Sequence, residues 1–380
     1  MSMRLLILAA ILLAPAVLAP ASAFGGERTT TPPKWRGDVD FMYRGMLEAG
    51  SVQDRAAADR SYALVGNYTE QSHGLDITAK FAVYHGITVG IDIPLVFHSR
   101  RRWIESFDMR FDPGENKGTM VATRPLSAEA LDGSPAARDH VGIGDLGIVF
   151  RFVPFAERGV PGREAPATVA LDVGIRAPSG ENHDAVRPDG TAGPGRGGPA
   201  LVLGMTASRR VKTVEPYVAV EAIFSAPYRQ QTLDADGLAI PATDGDPSGI
   251  EFDPADSIGV RFGTEVALLE VAETEQRMGL DIGFGIRYVG PHEASSGTWI
   301  PAPLEPTVGR IAVRAEHLKL DVGLGFRVRP RREVQVMLDM GAGWASPHTV
   351  ERVDKNNYTV QTAPGTFQFF WGLGVRGRIR

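Results

Sequence analysis

The sequence predicts an all-β protein, an antiparallel transmembrane β-barrel of about twelve strands with short periplasmic turns and long external loops. Three observations carry that expectation. The N-terminus has the form of an export signal, long stretches alternate apolar and polar residues with a period of two, and the connections between them are alternately short and long. The 380 residues include 44 Gly and no Cys, with 40 Lys+Arg against 45 Asp+Glu. No Cys excludes disulfides, thiol catalysis and zinc–thiolate sites. A net charge of −5 argues against nucleic acid as a partner. A mean hydropathy of −0.09 is too polar for a bundle of membrane helices.

Met1–Arg4 is positively charged, Leu5 to Pro20 is apolar, and Ala21-Ser22-Ala23 is a small-residue cleavage pattern. Residues 1–23 are therefore expected to be a cleaved signal peptide and 24–380 a single barrel domain. No later stretch approaches the roughly 20 apolar residues of a membrane helix, so any membrane crossing must be made by strands.

The strands are expected at 35–47, 62–84, 86–100, 139–155, 166–178, 198–211, 213–228, 256–271, 277–291, 307–328, 332–346 and 364–380. In the ninth, Met278, Leu280, Ile282, Phe284, Ile286 and Tyr288 alternate with Gly279, Asp281, Gly283, Gly285 and Arg287. One face is continuously apolar and the other is small or charged, because successive strand side chains point to opposite sides. Similar rows run through Ile87–Leu95, Val169–Ile175, Leu318–Val328, Val334–Trp344 and Phe367–Val375. A soluble sandwich also alternates, but its strands usually run about 5–6 residues, against about 11–15 here. The polar face is rich in Gly, which suits a crowded curved interior. Starting with a long link at 49–61, long and short connections alternate, which places every short turn on the periplasmic side. The phase slips near Gly144 and Glu316 mark a bulge or a turn. Segment 307–328 has room for an extra hairpin and 62–84 is long for one strand, so the count allows ten to fourteen.

Charged residues in mid-strand must face the lumen, since each would cost several kcal/mol in lipid. The lumen-lining candidates are Asp92, Asp145, Asp172, Arg176, Glu221, Arg261, Glu265, Asp281, Arg287, Lys319, Asp321, Asp339 and Arg376. Both signs are present, so two readings stand: a charge-lined pore that biases which solutes pass, and a structural network of ion pairs.

The loop 231–256 carries seven carboxylates and no Lys or Arg, but lacks the full spacing of a calcium loop; a solvated acidic loop is expected, and no metal. Arg100-Arg101-Arg102-Trp103 at the outer end of a strand fits lipopolysaccharide phosphates or a solvated charge run, with Trp103 at the interface. Trp344, Trp371, Phe367 and Phe369 are further girdle candidates. The eight His residues lack a nucleophile at a matching position, and the adjacent His98 and Ser99 point to opposite faces of a strand. No catalytic residue and no cofactor is expected.

The order Tyr84-His85-Gly86, Gly90-Ile91-Asp92-Ile93-Pro94, then Gly142-Ile143-Gly144-Asp145, then Ala177-Pro178-Ser179-Gly180 resembles outer-membrane proteins of the phenol-degradation (MetA-pathway) transporter type. It is also similar to the N-terminal barrels of some large OmpA-type proteins. The likeness covers mainly residues 75–225, with Ser179 where Thr is usual. It implies a transport channel for a small solute, an apolar or aromatic one. The expectation is then a passive channel in the outer membrane of a Gram-negative-type bacterium, with lipid, lipopolysaccharide and the barrel-assembly machinery as partners. The rival is a non-conducting barrel with structural or surface-interaction roles, acting through long acidic external loops.

Overall fold

In the computed structural model the described residues are 37–55, 62–84, 86–112, 119–125, 139–156, 166–180, 193–195, 197–230, 250–271, 273–295, 311–352, 359–362 and 365–379. The expected signal peptide and most of the acidic loop lie outside them.

Among the described residues twenty strands follow one another: β1 (Gly37–Arg55), β2 (Tyr62–Tyr84), β3 (Ile87–Asp112), β4 (Thr119–Pro125), β5 (Gly142–Ile143), β6 (Leu146–Phe155), β7 (Thr168–Ala177), β8 (Ala200–Ser208), β9 (Val214–Ser225), β10 (Tyr228–Gln230), β11 (Ile250–Phe252), β12 (Ser257–Val271), β13 (Gln276–Val289), β14 (His292–Ser295), β15 (Ile311–Arg314), β16 (His317–Arg331), β17 (Val334–Ala345), β18 (His348–Arg352), β19 (Thr359–Thr362) and β20 (Thr366–Ile379). Twelve of them, β1, β2, β3, β6, β7, β8, β9, β12, β13, β16, β17 and β20, pair antiparallel in that order. The last, β20, pairs back onto β1 from Gly37↔Ile379 to Ala49↔Phe367, so the barrel is closed and has no free edge.

The outside of the barrel is apolar. Phe150 is 53% exposed, Ile175 58% and Leu373 52%, and Phe284, Leu324 and Met340 are exposed beside them. In water a belt of this kind would be a large uncovered patch; facing hydrocarbon it is the required surface. The rows predicted to point outward are the exposed ones, because the lipid side admits only apolar residues at every second position. Trp371 packs on Tyr43, ring centroids 5.1 Å apart, and Tyr43 is stacked with His73 and Phe97, so one stretch of the outer surface is an aromatic cluster.

One end carries the short turns. Gly86 (φ 75°) turns β2 into β3, while Lys212 (φ 57°) and Glu275 (φ 55°) adopt left-handed backbone in the β8–β9 and β12–β13 links. Both described chain ends, Gly37 and Ile379, lie at this end, paired with each other.

Three irregular stretches of the sequence have a definite structure. Residues 62–84 form one 23-residue strand, which together with β1 and β3 continues beyond the apolar belt. The described part of 307–328, residues 311–328, holds no hairpin: β15 and β16 are separated at Ala315-Glu316, and β15 pairs with β14 and β18 instead of folding back on β16. The slip near Gly144 is a break between β5 and β6, where the Gly144 N–H donates to the carbonyl of Pro94.

Candidate functional site: the bore

Inward positions carry the charge, and register decides who meets whom. Arg376 on β20 holds Asp40 on β1 with two bonds, Nε–Oδ1 2.5 Å and Nη2–Oδ2 2.8 Å, and Lys80 stands 3.8 Å from the same carboxylate. Arg151 holds Asp172 in the same forked way at 2.8 and 2.9 Å. Two parallel charge-assisted bonds fix both angle and distance, which a single Lys cannot do. Further ion pairs join Arg44–Asp76 (2.6 Å), Arg277–Glu265 (2.7 Å), Arg287–Glu221 (2.6 Å) and Arg327–Asp339 (3.1 Å). Most link neighbouring strands, so they lie along the wall.

Glycine explains why they can lie down. Gly259 on β12 is registered with both Glu221 on β9 and Arg287 on β13, and with no side chain between them the pair spans the strand. Asp172 faces Gly204, Asp321 faces Gly285 and Asp339 faces Gly325. A Cβ on Gly325 would sit 2.7 Å from Asp339 Oδ1, and one on Gly204 3.1 Å from Asp172 Cβ. The charged groups occupy volume that any larger neighbour would take. The bore is kept clear by what the neighbours lack.

The same device reaches its extreme across four strands. Gly263, Gly283, Gly323 and Gly341 are consecutive register partners on β12, β13, β16 and β17, with Tyr217 on β9 at one end of the row and Phe370 on β20 at the other. Tyr217 lies over Gly263 with its hydroxyl 2.8 Å from the Cβ position of Gly283, and Arg261 Nε is 2.9 Å from that same position. At Gly323 the corresponding neighbours are Arg261 Nη2 and Phe370 Cε2, both at 3.5 Å. Tyr217, Arg261 and Phe370 therefore lie end to end in a trough floored by glycine.

What remains in the middle is a cavity of about 160 Å³, several times the space one water needs, lined from ten of the twelve barrel strands. Of the sequence candidates, Asp172, Glu221, Arg261, Asp281, Arg287, Asp321, Asp339 and Arg376 line it. Five do not. Asp92 accepts a hydrogen bond from Thr78 Oγ1 (2.7 Å), and Thr78 lines the cavity in its place. Glu265 sits toward the turns with Arg277, while Arg176 and Lys319 stand toward the loops, level with Ala200 and Ala345. Asp145 lies in the break before β6, where its carboxylate accepts the Gly180 N–H at 3.2 Å; the phase slip at Gly144 takes it out of the row.

Sequence reasoning missed Asp40, Arg44 and Arg151. In β1, inward Met42 and Met46 and outward Gly45 blur the alternation; Phe150-Arg151-Phe152 did carry the signal. Arg101 corrects the basic cluster: it turns inward, bonds Glu70 Oε2 at 2.7 Å and covers the ring of Tyr68 at 4.5 Å, while Arg102 is exposed. The side chain of Trp103 lies outside the described residues.

The loop end is built differently. Beside β13, β16, β17 and β20 the chain leaves strand at 290–291, 315–316, 346–347 and 365, and the neighbouring strands there are β14, β15, β18 and β19, the last of which pairs with β1. His292, His317 and His348 stand at three of these breaks. His317 stacks on His348 with centroids 4.1 Å apart, and His292 lies 6.3 Å from His317. Each Nδ1 faces the carbonyl two residues back, at 3.0–3.2 Å, and Arg314 Nη2 is 2.7 Å from His348 Nε2. Arg cannot accept a bond, so His348 is the neutral tautomer with its proton on Nδ1. Burial, with Arg314 next, lowers the pKa of both His292 and His348 to about 4. Val52, Tyr68, Val350 and Thr362 are at most 1% exposed here, and the Tyr68 hydroxyl donates to Glu48 at 2.8 Å. Two Pro-His dipeptides, 291–292 and 347–348, were the sequence signal for this mouth.

His98 Nδ1 lies 2.6 Å from Asp139 Oδ2, and the Ser99 backbone N–H donates to Asp139 Oδ1 at 2.9 Å. The carboxylate clamps residue 139 to β3. Ser99 is registered with Ser72 and His98 with His73, so serine and imidazole stay on opposite faces.

No family model matches the sequence, and none of the curated proteins matches it. Solved structures similar in fold include an outer membrane channel from Pseudomonas putida F1, 12% identical over 93% of this chain and 98% of that one with a TM-score of 0.49. The Pseudomonas putida toluene transporter TodX is 8% identical over 98% and 94%, TM-score 0.37. The outer membrane protease OmpT of Escherichia coli is 7% identical over 93% and 99%, TM-score 0.34. These outer-membrane barrels differ in activity, and what they share with this chain is the barrel.

Proposed function

We propose that this barrel is a passive outer-membrane channel for a small solute, with a narrow polar bore. One observation carries the reading: the charged side chains of the wall lie sideways over glycines, leaving a cavity of about 160 Å³ bordered by most of the circumference. A barrel built only for rigidity has no need to floor its charges with glycine, and filling the centre would be more stable. Opposite charges pair along the wall, so bulk charge selectivity is weak and shape governs passage. Export, cleavage after Ala23 and insertion by the barrel-assembly machinery belong to this reading, as does contact of exposed Arg102 with lipopolysaccharide phosphate. Catalysis does not, since among the described residues the cavity offers carboxylate–guanidinium pairs and no Ser or Thr hydroxyl bonded to an imidazole.

The packed mouth favours a second reading, a barrel that does not conduct and acts through its external loops. Single-channel recording of refolded protein in planar bilayers separates the two. Discrete current steps are expected; protein shown folded by heat-modifiable gel mobility that passes no current at any voltage overturns the channel.

A further inference from the structure

The charges that border the cavity are not all compensated, and the exception is local. Arg44, Arg287, Arg327 and Arg376 each have a carboxylate within 3.1 Å. Arg261 has none within 4.0 Å among the described residues; the Tyr217 hydroxyl lies near it at Gly283, and Asp281 and Asp321 act on it from farther off. Its Nε is buried without a hydrogen-bond partner. Asp321 likewise makes no ion pair among the described residues, and feels Arg261 and Arg287 only at longer range. Its carboxylate is folded over Gly285, and both groups border the same cavity.

A guanidinium and a carboxylate that share a cavity without reaching each other are satisfied together by one molecule that carries both signs. A solute carboxylate meets the planar donors of Arg261, and a solute ammonium meets Asp321. The aromatic side chains fix the rest: Phe370 lies beside the Arg261 guanidinium at Gly323, and Tyr217 lies on its other side at Gly283. Flat apolar groups gain most from such ring surfaces.

We infer that the glycine trough is a binding station for a small zwitterion with a flat apolar side chain, an amino-acid-like solute, held by Arg261 and Asp321 with its apolar part against Phe370. This deepens the channel reading and rests on it. An anion alone leaves Asp321 unmet and adds its charge beside that carboxylate; a cation alone does the same to Arg261. The zwitterion is the species that leaves neither group exposed.

The test uses the full-length refolded protein in planar bilayers, with L-phenylalanine, phenylacetate and phenethylamine as probes of matched size. Phenylalanine is expected to interrupt the current at a concentration at least fivefold lower than either singly charged compound. Arg261→Gln and Asp321→Asn should each bring phenylalanine to the level of the other two. Arg210→Gln, at the turn end where Arg210 pairs with Glu270, should leave the fivefold difference intact. Current with equal sensitivity to all three compounds overturns the station and leaves the channel standing, whereas no current at all overturns the channel itself. The wild-type comparison needs no variant to fold.

Discussion

The middle of the bore and its outer mouth are lined by the same kinds of residue and end in opposite states. In the middle, Asp, Glu and Arg alternate with Gly, and the side chains lie flat and leave a cavity. At the mouth, Glu48, Arg101, Arg314 and His348 have no glycine register partner, only Tyr68 lies over one, Gly50, and the space closes. Polarity therefore does not decide whether a barrel interior is open. The size of the residue across the strand boundary does. A charged side chain opposite Gly has room to turn along the wall, as a forked pair such as Arg376–Asp40 also does, whereas bulky residues that meet without such a pairing or a glycine floor fill the lumen.

The comparison breaks most readily in the glycine row. Gly341→Ala sets a methyl against the Phe370 ring and the Val322 carbonyl, both well inside contact distance. The ring must leave the trough, at a cost of about 1–3 kcal/mol for overpacking. Gly90→Ala, also on the inner wall, meets its nearest neighbour at 3.6 Å and should change stability by less than about 0.5 kcal/mol. The temperature at which heat-modifiable gel mobility is lost measures both. Equal shifts in the two variants would mean that the trough does not constrain Phe370.

Acid attacks the mouth and spares the middle. His348 accepts a bond from Arg314 only while neutral, and its pKa, like that of His292, lies near 4 against 6.5 in a solvated chain. Between pH 6.5 and 4 the opened mouth takes up protons that the closed mouth refuses, so stability falls as pH falls through that window and is lost below it. The effect is on the order of 2 kcal/mol per imidazole, allowing for water reaching the cluster. Hydrogen exchange of 292–295, 311–314 and 348–352 should accelerate as pH drops from 7 to 4, after correction for intrinsic rates, while 276–289 keeps its protection. Acceleration shared equally by both regions contradicts a local mouth.

Strand phase was legible because lipid imposes it: every second residue must be apolar, as in Met278 to Tyr288, and no inner-wall constraint disturbs that row. Inner positions followed by subtraction, which worked for Asp281 and Arg287 and failed for Asp40 and Arg44, where inward Met42 and Met46 imitate an outward row. Partners were not legible at all. Arg287 meets Glu221 across β12 only because register sets Gly259 between them, and register is fixed by the closed barrel, not by local sequence. The glycine row is the clearest case. Gly263, Gly283, Gly323 and Gly341 are ordinary inward glycines until four strands align, and their alignment is what gives Tyr217, Arg261 and Phe370 a place to lie.

The smallest effect sharpens the difference between a bore wall and open water. Arg287 and Glu221 are 15% and 12% exposed, whereas Arg332 and Glu333, in the β16–β17 turn, are 48% and 45% exposed at a similar 2.6 Å. Distance alone would rank the two pairs as equals. In the wall, water is partly excluded and Gly259 places no side chain between the two groups, so a double-mutant cycle on Arg287→Gln and Glu221→Gln should give a coupling of about 1 kcal/mol. In the turn, solvent and salt screen the pair, and the cycle on Arg332→Gln and Glu333→Gln should give no more than about 0.3 kcal/mol, vanishing in 1 M salt. If the bore coupling also vanished in 1 M salt, ions would have to reach Arg287 as freely as they reach Arg332. The bore at that level would then be wide enough for hydrated ions, and selection would have to lie at the glycine trough.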